Sequence, residues 1–250
     1  MLNYLIFTFK RAIRYLKKEK SFSGTYAYRK YLFEELKKNF GEKYFENKRV
    51  LEIGPKDGED TERILTLNPK EIVLLDLPDK LEEINKWDKI LRKQDNLIIN
   101  NFLYQTKEAY EALGTFDLIY FTGVLYHNPE QLRFINRLYD KLNDDGVLVL
   151  ETATIRNIYL RKKNLIQVWY PETYRGTTTI SHLPSKTAVL SWLRMVGFRN
   201  IIESDCYIKE NYNVKSVRFA CFSQKNKNDI QETYYKKQIE DSNYLIGGSN

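Results

Sequence analysis

The chain has 250 residues, 42% of them hydrophobic, enough for one large domain or one domain with decorations. Its formal charge of +7 is uneven: residues 1–49 hold 13 Lys/Arg against 5 Asp/Glu, while 27 and 28 remain in the rest, so the body lacks the all-over basic surface of a nucleic-acid binder. Two cysteines and two histidines form no disulfide framework and no ligand cluster; Cys206 and Cys221 read as core thiols, and neither a structural zinc nor another metal is expected.

The first 20 residues are not a secretory signal, because the positive charges follow the apolar run and no small-residue cleavage site comes after it. The run is too short to span a bilayer, which takes ~20 apolar residues. Leu2, Leu5, Ile6, Phe9, Ile13 and Leu16 share one helical face, and Lys10, Arg11, Arg14, Lys17 and Lys18 crowd the rest. Such a helix packs on its own domain or on a second copy in a homodimer, lies on a membrane surface, or contacts RNA. Residues 1–45 thus read as a basic helical arm, residues 46–223 as the main domain and residues 224–250 as a polar tail. The expected location is the cytoplasm, at the inner membrane surface if the arm is a membrane helix.

Residues 50–58, VLEIGPKDG, are the most informative stretch. An apolar strand breaks on glycine and enters a helix, which is how α/β proteins cradle a nucleotide: glycine lets the backbone approach, and the helix start offers unpaired N–H groups. The second apolar run, IVLLD, ends in Asp76, 22 residues after Gly54, where a ribose diol would be held. Strand-like runs lie at 50–53, 72–76, 97–99, 116–121 and 146–152, with helical runs at 60–67, 81–92, 107–112 and 130–142 between them. That alternation predicts an α/β fold with a parallel sheet covered on both faces. Residues 153–184 read as irregular, 185–196 as a helix stopped by Gly197, and 201–208 and 216–223 as a final antiparallel pair.

A phosphate-binding P-loop is excluded because no GKS or GKT follows the glycines. The spacing Gly54-x-x-x-Gly58 also departs from the dinucleotide G-x-G-x-x-G. The E-x-G element, the acid closing the next strand and the antiparallel finish resemble the class I S-adenosylmethionine-dependent methyltransferases over about residues 45–223. GVLYH at 123–127, LVLET at 148–152 and residues 182–201 look like the bacterial tRNA wobble-uridine carboxymethyltransferase branch. The glycine turn reads G-P-K-D-G where that branch has a G-C-G-S-G type.

The resemblance implies a Rossmann-like, seven-stranded methyltransferase fold, mostly parallel with an antiparallel last strand, plus N-terminal helices. It implies S-adenosylmethionine as cofactor. Glu52, Gly54, Pro55, Lys56 and Gly58 would shape the methionine end, Asp76 would hold the ribose with Leu77 under the adenine, Asn101 and Phe102 would meet the adenine amino group, and Thr122 and Gly123 would face the sulfonium. Methyl transfer is an in-line displacement whose leaving group departs neutral, so alignment supplies most of the acceleration, up to ~7–11 kcal/mol. A neutral acceptor must also lose a proton, which calls for a base with a pKa near the working pH. His127 is the candidate base, and Tyr126 would close over cofactor or substrate. Glu151 would bind a hydroxyl or amine of the acceptor. Residues 168–182 form the expected substrate wall, with Trp169, Tyr170, Tyr174, Arg175 and His182; aromatic faces beside a planar guanidinium suit a sugar, a phosphate-bearing metabolite or a base.

Three functions remain in play. The first is O- or N-methylation of a small metabolite or surface-glycan precursor. The second is modification of a tRNA wobble uridine, and the third a non-catalytic partner subunit.

Overall fold

The computed structural model describes residues 27–56, 58–76, 97–98, 111–173, 178–204 and 216–227. The amphipathic arm, Leu77, Asn101, Phe102, Tyr174, Arg175, Cys206, the helical run at 81–92 and the tail beyond residue 227 lie outside the described residues.

Strands β1 (Arg49–Ile53), β2 (Glu71–Leu75), β3 (Leu97–Ile98), β4 (Phe116–Thr122), β5 (Leu142–Ile155), β8 (Asn200–Glu203) and β9 (Ser216–Gln224) form one sheet in the order β3-β2-β1-β4-β5-β9-β8. The first five pair in parallel, and β9 runs antiparallel to both β5 and β8. Strands β6 (Ile166–Trp169) and β7 (Ser181–Pro184) make a separate antiparallel ribbon. The helices are α1 (Ala27–Phe40), α2 (Glu59–Leu65), α3 (Gln131–Asp140) and α4 (Lys186–Val196).

Alternate residues of the central strands feed two cores, which is why their sequences are apolar almost throughout. Leu51, Ile53, Ile119, Phe121, Leu148 and Leu150 face Phe134, Ile135 and Leu138 of α3 and Val189, Leu193 and Val196 of α4. Val50, Leu118, Tyr120, Val147 and Val149 face Leu32, Phe33 and Leu36 of α1 and Ile64 of α2. Helix α1, from within the expected N-terminal arm, thus packs on the sheet. Ser185 caps α4 by accepting a hydrogen bond from the Ala188 N–H at 3.0 Å.

Part of the stretch expected to be irregular after residue 152 forms strands instead. Strand β5 runs on to Ile155 because Ala153, Thr154 and Ile155 find partners in Arg218, Val217 and Ser216 of β9. The β6–β7 ribbon then folds back over Ala153 and Ile155. Strand β5 also starts at Leu142, four residues before the expected Gly146: it absorbs the Asp144-Asp145-Gly146 turn as a register shift opposite Phe116 and Leu118, with Asp145 at φ 64°.

Candidate active site

The strand register sets the site's ground plan. Ile53 pairs with Leu75 on one side and Phe121 on the other, and Thr122 pairs with Glu151. Gly54, Asp76, Thr122 and Gly123 thus come together at the carboxyl ends of β1, β2 and β4, where open α/β sheets place ligands, with Glu151 beside them on β5. The Gly54 N–H donates to the Leu75 carbonyl at 2.8 Å, and the Gly123 N–H donates to the Glu151 carbonyl at 2.9 Å.

The turn after β1 needs its glycines. Gly54, Lys56 and Gly58 have φ of 76°, 50° and 76°, in the left-handed region. A Cβ on Gly54 would lie 2.5 Å from Cγ2 of Val124, so the turn passes directly beneath the segment following β4. Pro55 is buried, and its carbonyl accepts from the Gly58 N–H at 2.9 Å. Glu52 is buried within β1 and accepts a hydrogen bond from the Thr61 hydroxyl at 2.6 Å, tying strand to helix. Asp76 is buried where β2 ends.

Beside this turn lies a buried ion network that the sequence reading missed. Asp60 accepts from Arg29 Nη1 at 2.7 Å, from Arg63 Nη1 at 2.5 Å and from the Thr122 hydroxyl at 3.3 Å. All four side chains are buried. Arg29 comes from α1, and its Nη2 lies 3.0 Å from where a Cβ on Gly123 would be. Glu151 is fully buried and forms a paired contact with Arg218 of β9, with Nη2 to Oε2 at 2.8 Å. The one legible signal was Arg218, a charge within the apolar run VRFACF. Asp60 and Arg63, three apart on a polar helix start, and Arg29, in a charged helix, look like ordinary solvated faces.

His127 sits on the 3-10 turn Leu125–His127, its N–H bonded to the Val124 carbonyl at 2.9 Å. Its ring rests on Tyr126 with centroids 4.0 Å apart, and its Nδ1 lies 3.5 Å from the Thr179 hydroxyl. Crowding by protein atoms, reinforced by the positive Arg218, lowers its pKa to about 4. The imidazole is therefore neutral at pH 7, and its value lies well below the near-neutral one sought for a proton-accepting base. It is placed to accept a hydrogen bond rather than to carry a proton. The Arg218 guanidinium stands 5.4 Å from the Tyr126 ring centre, a cation–π distance. Tyr126 and Trp169 pack on Ala153, Ile155 and Leu183, so both line the same side as His127.

Tyr170 is strongly exposed and projects away from this cluster's core. His182 lies on β7 opposite Val168, and its carbonyl accepts from Gln131 Nε2 at 2.6 Å; through that bond its backbone fixes the ribbon to α3. Among the described residues, no group of three or more His, Cys, Asp or Glu could hold a metal ion.

The family profile described as a methyltransferase domain matches residues 26–203. The chain belongs to the methyltransferase domain family. The match begins one residue before α1 and spans every site residue named above except Arg218. A tRNA U34 carboxymethyltransferase of Campylobacter lari is 24% identical over 205 residues, covering 78% of this chain and 61% of that protein. Another of that name, from Histophilus somni, is 27% identical over 62% of this methyltransferase but only 46% of its own length. The methyltransferase thus spans about half the length of the curated relatives it matches. The N-terminal domain of EvdMO1, solved in the presence of SAH and D-fucose, superposes with a TM-score of 0.61 at 15% identity, covering 82% of this chain and 85% of that one. The fold is that of the S-adenosylmethionine-dependent methyltransferases.

The residues present suit that cofactor. The Gly54 turn leaves no room for a side chain, and a buried carboxylate, Asp76, stands one strand away. Glu52, Gly54 and Gly58 would hold the methionyl end, Asp76 the ribose, and Thr122 and Gly123 the sulfonium. When bound, the cofactor supplies an electrophilic methyl on a cationic sulfur.

Proposed function

We propose that the protein transfers a methyl group from S-adenosylmethionine to an oxygen or nitrogen of a small metabolite or sugar-type acceptor. The observation that carries this reading is the acceptor side of the site, where the neutral His127 ring rests on Tyr126 beside Trp169. Around Thr122 and Gly123 the two buried carboxylates are paired inside the protein, Asp60 with Arg29 and Arg63 and Glu151 with Arg218. The Arg29 and Arg218 guanidiniums, 3.0 and 3.6 Å from where a Cβ on Gly123 would be, would instead suit a donor bearing an extra carboxylate. Neutral His127 can accept a hydrogen bond from an acceptor hydroxyl or amine, while Tyr126 and Trp169 give it an aromatic wall. That the EvdMO1 domain was solved with a sugar adds support for an acceptor of this class.

A second reading, transfer of a carboxymethyl group to a tRNA wobble uridine, is favoured by the names of the curated relatives. One experiment separates the two. Calorimetric titration should show S-adenosylmethionine binding more tightly than its carboxylated form, and radiolabelled methyl should pass to a sugar or small-metabolite panel and not to tRNA. Tighter binding of the carboxylated donor with label appearing in tRNA would replace the first reading by the second.

A further inference from the structure

We propose that the outward face of the β6–β7 ribbon, with the turn preceding it, docks this enzyme on an anionic lipid bilayer. Residues 156–170 read RNIYLRKKNLIQVWY, with four cations (Arg156, Arg161, Lys162, Lys163) and no carboxylate. Within and beside this run, Ile158, Tyr159, Leu160, Ile166, Val168, Tyr170 and Ile180 are exposed, Tyr159 by 76% and Ile158 by 60%. The β6 alternation explains the patch: Gln167 and Trp169 turn inward, so Ile166 and Val168 face solvent. Single exposed apolar residues are ordinary, but here Ile158, Tyr159 and Leu160 are consecutive and Ile166 and Val168 share the outward side of β6, and such a grouping marks an interaction surface.

The chemistry selects the occupant. Five of the seven exposed side chains are aliphatic, and these gain nothing from RNA, which rewards stacking aromatics. A second copy of the same patch would set cations against cations. A bilayer accommodates all three classes: aliphatics enter the acyl boundary, tyrosines sit at the headgroups, and lysines and arginines meet anionic lipid. The first 18 residues repeat the same pairing of apolar and basic residues in sequence. The ribbon's inner side packs on Tyr126, next to His127. Docking would therefore bring the bilayer beside the acceptor wall, and the acceptor would be carried on a lipid; this last step rests on the methyltransferase reading above, whereas the docking does not.

The test is co-sedimentation of the full chain with phosphatidylcholine vesicles, with and without phosphatidylglycerol. The wild type should partition to the phosphatidylglycerol vesicles alone. Ile158→Ser/Leu160→Ser and, separately, Lys162→Glu/Lys163→Glu should each lower that partition about tenfold or more while leaving S-adenosylhomocysteine affinity and melting temperature unchanged. Wild-type-like partition of both folded variants, equal binding to neutral vesicles, or loss of tRNA retention with no vesicle binding would overturn the proposal. Vesicle binding without any cofactor binding would instead overturn the methyltransferase reading and leave the docking standing.

Discussion

At the scale of single residues, Asp60 bears the heaviest structural duty. It is shared by Arg29 and Arg63, both buried, and removing its charge leaves two guanidiniums without it. Breaking a buried pair from one side costs about 3–5 kcal/mol, so Asp60→Asn should lower the urea-unfolding free energy by that order. A loss below about 1 kcal/mol would mean that the network is solvated and structurally idle. His127 makes a second prediction. Its folded pKa of about 4 lies below the ordinary 6.5, so between those values the unfolded chain binds a proton that the folded one refuses. The group's stabilising contribution is present above pH 6.5 and lost as pH falls toward 4. His127→Gln should flatten the fall in stability across that window, and an unchanged pH profile would show the ring titrating normally. This ring's neutrality comes first from burial and then from Arg218, 91 positions later in the chain, and no local pattern foretells either.

At the scale of elements, the glycine turn and its helix were legible because each rests on a local rule. A strand of apolar residues, a positive-φ turn that only glycine enters readily and a polar helix start adjoin in VLEIGPKDGED. Gly54→Ala should fail at two levels, since its backbone is left-handed and its new Cβ would press on Val124. S-adenosylhomocysteine binding and thermal stability should both fall, and retention of either would mean that the turn relaxes. The β6–β7 ribbon was not legible, because its aliphatics face outward and mimic no half-buried strand. Strand β9 supplies a further test. Burial pushes the Cys221 thiol up to about 12, so in the native protein it should resist iodoacetamide, with peptide mass spectrometry showing alkylation only after denaturation. Native labelling at the rate of an exposed thiol would contradict its place in the core.

At the scale of the whole molecule, the parallel sheet and its antiparallel finish could be read in advance from the alternation of apolar and helical runs. What could not was how α1 joins the site. Arg29 reaches from that helix to Asp60, 31 residues later in sequence, and to the face of Gly123. Pairwise contacts of that range leave no periodic trace. The parallel strands, by contrast, bring Gly54, Asp76 and Thr122 together through register alone, and the proposed cofactor position rests on that register. Asp76 decides the matter. By calorimetry with S-adenosylhomocysteine, Asp76→Ala should weaken binding by about 1–3 kcal/mol relative to wild type, roughly five- to 150-fold, with the melting temperature of the free protein little changed. Equal affinity in the two proteins would contradict the placement of the cofactor at these strand ends.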